Sequence, residues 1–288
     1  MKKFLIFAAI ILMTLFMVSC DVFQLPFFET TTTERTTINP TKINGTITFE
    51  DEDYQDLALY NSSNYDIEDV EEYNDLLLTT KNHIRLANIV VNTVIYSQKY
   101  PWGLETERQV VSQGSGFIFM QDDEFFYAIT NFHVLDSEYQ GTKAEIMTFS
   151  DTNFSEAEIV TFDESLDLAV LKFSINERTD VTVIDIFERL YYQFIPGELV
   201  LAVGNPSSLN NNVTFGEFKS METLKDVNFK VIYHDAAIAN GSSGGALVDV
   251  DGNLLGVNTW GLEDSDEFSF AIPNYIVYMF LINNGILD

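Results

Sequence analysis

One cysteine, Cys20, is the whole thiol content of a 288-residue chain. No disulfide can close within it, and Cys-rich zinc and iron–sulfur sites are excluded. Basic residues are scarce too: 15 Lys and Arg stand against 44 Asp and Glu, a formal charge of −29. Nucleic-acid binding needs clustered cations to meet the phosphates, so no nucleic acid is expected as a partner. Cationic substrates, solubility or an acidic tether remain as reasons for the charge. Only three histidines, His83, His133 and His234, are open to imidazole chemistry. The rest is ordinary for a folded protein, with 46% hydrophobic and 20% charged residues. That is too apolar for a disordered chain. The length fits one or two domains with a sizeable core.

Lys2 and Lys3 precede the apolar run Phe4–Val18, and Ser19 and Cys20 follow it. The run has about 15 residues, short of the ~20 a spanning helix needs. Charge, apolar stretch and small residue in this order make a secretory signal, with an uncleaved anchor as the alternative. Met17-Val18-Ser19-Cys20 resembles a bacterial lipobox, Met17 standing where Leu is usual. The resemblance implies that residues 1–19 are a lipoprotein signal peptide and that Cys20 is the lipidation site. Two acyl chains would anchor the protein stably, on the extracytoplasmic face of a bacterial cell membrane. Residues 20–63 change character: Thr-rich Glu29–Thr37, Asn39-Pro40, Asn44-Gly45 and acidic Glu50–Asp53 carry no structural period. They read as a flexible, self-repelling tether.

Ile67, Val70, Tyr73, Leu76 and Leu77 recur at helical spacing, with Asn64 or Asp66 as a cap and Glu68, Asp69, Glu71 and Glu72 in the first turns. Short β runs follow. They are Ile89–Tyr96, Val110–Met120, Phe125–Thr130, Ile146–Phe149, Ala157–Phe162, Leu168–Phe173, Leu199–Val203, Val213–Ser220, Phe229–His234, Ala246–Val250, Leu254–Thr259 and Phe268–Ile272. About a dozen short strands at this spacing predict an all-β barrel or sandwich. Tyr275–Ile282 is an apolar segment that closes as a short helix.

Three segments carry chemistry. An apolar strand ends in Thr130-Asn131-Phe132-His133; Asp167 stands directly before the apolar strand Leu168-Ala169-Val170-Leu171; and Asn240-Gly241-Ser242-Ser243-Gly244-Gly245 is a glycine-rich turn entering a strand. A serine hydroxyl is a weak nucleophile and needs an adjacent base. Imidazole is that base near neutral pH. A carboxylate fixes its tautomer, and glycines let backbone N–H groups converge on a developing oxyanion.

Together these segments resemble the trypsin-like serine proteases of the chymotrypsin fold, and among them the bacterial HtrA/Deg type. The order His–Asp–Ser matches, with 34 residues from His133 to Asp167 and 76 from Asp167 to Ser243. Further landmarks are Gly114-Ser115-Gly116-Phe117, Val203-Gly204-Asn205-Pro206, Phe215-Gly216, Gly256-Val257-Asn258-Thr259 and Phe270-Ala271-Ile272-Pro273. The resemblance implies an all-β fold of two six-stranded barrel halves, about 84–175 and 197–273, within a protease domain of residues 64–288. His133 would be the general base, Asp167 its orienter and Ser243 the nucleophile. The N–H groups of Gly241 and Ser243 would form the oxyanion hole. Ala237, Ile238 and Asn240 would floor the primary pocket; Asn258, Thr259, Trp260 and Gly261 would wall it and pair with substrate as an edge strand. Ala237 and Ile238 suit a small or medium apolar side chain. Neither metal nor cofactor is implied, and the partners are polypeptide substrates.

Each role has a competitor. Ser242 neighbours Ser243, and Asp163 competes with Asp167. His83 and His234 read as structural. Asp249–Asn253 is a hairpin turn rather than a calcium loop, because the spacing and distal Glu are missing. The family departs here at Ser242, which replaces the Asp of zymogen activation, and at Ala239-Asn240 and Ala246, which replace usual neighbours of the nucleophile turn. No PDZ domain is expected after Pro273. A catalytically inactive protease-fold lipoprotein that binds polypeptides, and an esterase on the same machinery, are the rival functions.

Overall fold

The computed structural model describes residues 57–60, 67–98, 106–176, 178, 180–206, 211–225, 227–261 and 269–287, with Trp260 and Gly261 described by backbone alone. The expected signal peptide, Cys20, the tether as far as residue 56 and the candidate caps Asn64 and Asp66 lie outside the described residues. In chain order the elements are β1 (Ala58–Leu59), α1 (Val70–Ala87), β2 (Asn88–Gln98), β3 (Thr106–Gln121), β4 (Phe125–Thr130), the single turn α2 (Phe132–Leu135), β5 (Lys143–Thr148), β6 (Ser155–Asp163) and β7 (Leu168–Ser174). Then come β8 (Tyr192–Gln193), β9 (Leu199–Gly204), β10 (Asn212–Thr223), β11 (Lys230–His234), β12 (Ala246–Val248), β13 (Leu254–Gly261), β14 (Ser269–Pro273) and α3 (Asn274–Asn283).

The twelve strands other than β1 and β8 close into two six-stranded antiparallel barrels, in the orders β2-β3-β4-β7-β6-β5 and β10-β11-β14-β13-β12-β9. Closure removes the open edges that twelve short strands would otherwise present. Each barrel has its own apolar filling. Ile89, Val91, Ile118, Ala128, Ile146 and Leu171 fill the first, and Val200, Ala202, Ile232, Leu247 and Leu255 the second. A third cluster joins them, with Phe117, Ile129 and Val170 meeting Leu201, Val203, Val248 and Val257 under Ile84 of α1 and Val277 of α3. The barrels therefore pack as one body, and the residues at their junction are held rigidly.

Asp69 caps α1, in place of the expected Asn64 or Asp66. Its Oδ1 accepts the N–H groups of Glu71 at 2.9 Å and Glu72 at 3.0 Å. A short carboxylate just outside the first turn satisfies donors that the helix leaves unpaired. Within the stretch read as tether, Ala58–Leu59 pairs in parallel with Tyr192–Gln193. Tyr60 then lies 4.2 Å beneath the Arg189 guanidinium and donates its hydroxyl to Asp251 at 3.2 Å.

Arg189 is fully buried and bonds Glu198 at 3.2 Å and Asp249 at 3.0 Å. Burial pushes the Asp249 carboxyl above its ordinary range, and Arg189 pulls against that shift. Asp249 also accepts the N–H groups of Asp251 and Asn253, so the 249–253 segment is a hairpin turn. Arg189→Met would leave two buried carboxylates without their cation. The expected loss of unfolding free energy is ~3–5 kcal/mol, measured by urea denaturation. A midpoint unchanged from wild type would contradict it.

Candidate active site

β4 delivers the chain to Thr130, and the turn Phe132–Leu135 lifts His133 out toward solvent. Asp167 arrives from the opposite direction, at the end of a tight turn before β7. Asp163 closes that turn: its Oδ1 accepts from Ser165 N at 2.9 Å and Leu166 N at 3.1 Å. Asp163 thus serves the turn, and it is Asp167 that meets His133. Asp167 sits at φ 54°, a left-handed conformation uncommon for a residue with a side chain. Asn131 holds it there by donating Nδ2 to its carbonyl at 2.9 Å.

The Asp167 carboxylate receives three donors. His133 Nδ1 lies 2.9 Å from Oδ2, the His133 backbone N–H reaches Oδ1 at 2.9 Å, and Thr259 Oγ1 reaches Oδ2 at 2.7 Å. An ionised carboxylate only accepts. The hydrogen of a neutral His133 ring therefore sits on Nδ1, and Nε2 is left as the basic nitrogen. Thr259 belongs to β13 of the second barrel, so the carboxylate is gripped from both halves.

Ser243 lies in the loop that joins β11 to β12. Gly241 has φ 101°, which only glycine adopts without strain. At Gly244 an added Cβ would lie 2.2 Å from Ser115 O, 2.6 Å from Thr130 Oγ1 and 3.0 Å from Asn131 N. The loop that carries Ser243 thus presses against the residues that immediately precede His133, and a larger residue at Gly244 would require the backbone to shift. Ser243 O accepts from Ser115 N at 2.8 Å. The Ser243 hydroxyl donates to Thr259 O at 3.1 Å rather than to His133.

Backbone hydrogen bonding around the loop is selective. Ser242 N donates to Ala239 O, Gly244 N to Asn258 O and Gly245 N to Ser242 O, at 2.8, 2.8 and 3.0 Å. Among the described residues, the N–H groups of Gly241 and Ser243 meet no acceptor. They are the two groups expected to face an oxyanion. Ser242 is buried, and its hydroxyl accepts from Ala239 N at 3.3 Å, inside the loop.

Residues 114–257, half the chain, match the family model for a trypsin-like peptidase domain. The chain belongs to the trypsin-like peptidase family. Among its relatives are Serine protease HTRA1 of Xenopus tropicalis, 35% identical over 176 residues that cover 59% of this chain and 35% of that protein. Putative serine protease HhoB of Synechocystis is 34% identical over 166 residues, covering 56% of this chain and 37% of that protein. The chain spans little more than a third of the length of these two relatives. The solved structure of the serine endoprotease from Yersinia pestis aligns with a TM-score of 0.55 and 29% identity, over 72% of this chain and 66% of that one. The double barrel and the relationship to HtrA-type proteases, both expected from the motifs, are therefore established.

The expected pocket residues of this trypsin-like peptidase divide. Ala237 and Asn240 are exposed and Ile238 is half-buried at the mouth of the second barrel. Thr214 Oγ1 fixes the Ala237 carbonyl at 2.8 Å. Asn258 is fully buried and turns its Nδ2 to Ala246 O at 3.0 Å. The Thr259 side chain is committed to Asp167. These two residues support the site from within, and their backbone is what remains for a substrate. β13 pairs with β14 as far as Gly261, opposite Ser269, whereas its β12 ladder ends at Val257. Trp260 and Gly261 are thus paired on one side among the described residues, and Thr259 sits at a bulge in that ladder.

Neither of the other two histidines is hydrogen-bonded to Asp167 among the described residues. His83 Nε2 lies 3.2 Å from Val183 O, and burial lowers its pKa below the ordinary value. His234 is fully buried, with neither ring nitrogen hydrogen-bonded among the described residues. Burial pulls it down to about 4, against a smaller upward pull from Asp235 and the adjacent Asn258 side chain. It is neutral at neutral pH and out of reach of substrate. No three His, Cys, Asp or Glu side chains among the described residues could hold a metal ion. No described helix is long and apolar enough to cross a membrane.

The roles of Thr259, Ser115 and Asn205 in building the site have no signature in the pattern of the chain. Ser115, Asn205 and Thr259 do fall within landmark motifs, Gly114–Phe117, Val203–Pro206 and Gly256–Thr259. What they touch depends on residues far away in sequence.

Proposed function

We propose that this chain is a serine endopeptidase acting through His133, Asp167 and Ser243. The observation that carries the reading is Asp167 gripping His133 Nδ1, which leaves Nε2 as the basic nitrogen, beside a serine loop with two N–H groups that meet no acceptor among the described residues. The Ser243 hydroxyl must first rotate away from Thr259 O. Its oxygen then attacks the scissile carbonyl carbon while its proton passes to His133 Nε2. The oxyanion is received by the N–H groups of Gly241 and Ser243. The C–N bond breaks as His133 returns the proton to the amine, leaving an ester on Ser243. Water, deprotonated by His133, hydrolyses that ester.

Exposed or unfolded extracytoplasmic polypeptides are the proposed substrates. Attachment to a bacterial membrane through lipid at Cys20 belongs to the same reading, and the sequence of residues 1–20 supports it. Ala237 and Ile238 support a small or medium apolar residue before the cleaved bond. A second reading, a protease fold that binds polypeptides without turnover, is favoured by one observation, the turn of Ser243 toward Thr259.

A fluorophosphonate probe followed by peptide mass spectrometry separates the two readings. The expected result is a single adduct on Ser243, lost in Ser243→Ala and in His133→Ala. An unlabelled yet folded wild-type protein would overturn the endopeptidase reading. Digestion of a peptide library is expected to show cleavage after small or medium apolar residues; cleavage mainly after Lys, Arg or Glu would overturn the pocket assignment.

A further inference from the structure

We infer that Ser115, in the first barrel, is the positioning residue that holds the oxyanion hole of the second. The inference rests on the endopeptidase reading. An oxyanion hole has an intrinsic difficulty: its two N–H groups must be aimed accurately while bonded to nothing. Their direction has to be set by the other atoms of the loop. Gly241, at φ 101°, lacks the side chain that would restrict it, so bonds within the loop need restraint from outside it as well.

Ser115 supplies it at two points. Its Oγ donates to Gly241 O at 2.6 Å, and its backbone N–H donates to Ser243 O at 2.8 Å. Ser242 N is held by Ala239 O and Ser242 O by Gly245 N. The peptide plane between Gly241 and Ser242 is thus pinned at both its oxygen and its nitrogen. The plane between Ser243 and Gly244 is pinned likewise, because Gly244 N donates to Asn258 O. The two unbonded N–H groups sit on the adjoining planes: that of Ser243 on the Ser242–Ser243 plane, whose oxygen Gly245 N holds, and that of Gly241 one Cα before the pinned Gly241–Ser242 plane.

The Ser115 hydroxyl has no freedom to do otherwise. A hydroxyl carries one hydrogen and two lone pairs. Asn205 fills the acceptor side twice, with its backbone N at 2.8 Å and Nδ2 at 3.1 Å. The single hydrogen is directed to Gly241 O. Asn205 is fixed in turn: its Nδ2 also donates to Ile89 O at 2.8 Å, and its Oδ1 accepts from Asn88 Nδ2 at 3.1 Å and Asn211 N at 2.8 Å. Ser115 is fully buried, so water does not compete for these bonds. The chain of contacts runs from β2 and β3 through Asn205 to the loop that stabilises the transition state. Geometry of the hole is therefore coupled to the seating of one barrel on the other.

The test compares Ser115→Ala, Ser115→Val and Ser115→Thr by steady-state peptide hydrolysis and by the rate of fluorophosphonate labelling. Thr and Val have the same shape and differ only in the hydroxyl. Loss of one oxyanion donor typically lowers turnover ~10²–10³-fold. Ser115→Ala and Ser115→Val are expected to lower kcat and labelling rate by about 10² or more, with KM within about threefold of wild type. Ser115→Thr is expected to recover to within about tenfold of wild type, one hydrogen bond's worth. A role in packing alone would leave Thr and Val equal, and that result would overturn the inference. Ser115→Ala turning over like wild type would also overturn it, while leaving the endopeptidase reading intact. A wild-type protein inert to both substrate and probe would overturn both together. If Ser115→Ala does not fold, Ser115→Cys, slightly larger and a weaker donor, is expected to lose about tenfold or more in kcat; full activity in it would count against the inference.

Discussion

Ser243→Ala is expected to lower kcat for peptide hydrolysis by ~10⁶, the scale seen when the nucleophile of such a triad is removed. The covalent intermediate cannot form without the hydroxyl, and what remains is the effect of binding and of the oxyanion hole on attack by water. No neighbour can substitute. Ser242 is buried and faces back into its own loop at Ala239 N. The fold should tolerate the change, because Ser243 Oγ makes one hydrogen bond, to Thr259 O. The remaining loop contacts, among them Ser115 N to Ser243 O and Gly244 N to Asn258 O, do not involve the Ser243 side chain, and alanine preserves them. Thermal denaturation is therefore expected to match wild type, and binding of an uncleaved peptide should be unchanged. Residual turnover above about a thousandth of wild type would mean that another group performs the attack.

Asp167→Asn tests a different element of the same machinery and is expected to lower kcat by ~10⁴ with KM little altered. The carboxylate accepts from His133 Nδ1, from the His133 backbone N–H and from Thr259 Oγ1. An asparagine turns one of its two acceptor atoms into a donor. The backbone N–H of His133 cannot reverse its role, and Thr259 can rotate its hydrogen away. The conflict is relieved most simply at the ring, with Nδ1 accepting from the new amide and the hydrogen moving to Nε2. In that tautomer Nε2 cannot take the proton of Ser243. Fluorophosphonate labelling should slow in parallel, because it needs the same base. A variant within tenfold of wild type would show that Asp167 does not set the tautomer.

The two expectations differ in how far the chain itself announces them. Ser243 stands out because a hydroxyl inside Gly-x-Ser-Gly-Gly has few structural explanations. Asp167 stands out because a carboxylate at the mouth of an apolar strand would otherwise be out of place. The rivals Asp163 and Ser242 were separable only through contacts. Asp163 caps its own turn, and Ser242 points inward. The start of α1 at Val70, capped by Asp69 rather than by Asn64 or Asp66, has a related reason. Several acids near residue 69 could cap, and the choice depends on where packing of Ile84 and Ala87 between the barrels sets the helix.

Local information determined most of the strands, the two longer helices, the chain order of His133, Asp167 and Ser243 and the composition limits. Alternation of apolar and polar side chains, turn residues and the spacing of chemical groups are properties of neighbours along the chain. Tertiary structure alone decided the barrel pairings, the Thr259 support of Asp167, the Ser115 clamp on the oxyanion loop and the burial of Arg189 between Glu198 and Asp249. Ser115 and Gly241 are 126 residues apart and Asp167 and Thr259 are 92 apart. A single serine or threonine has no pattern of its own, and its partner is chosen when the two barrels close and pack their shared apolar face, a cooperative event that no short window of sequence contains.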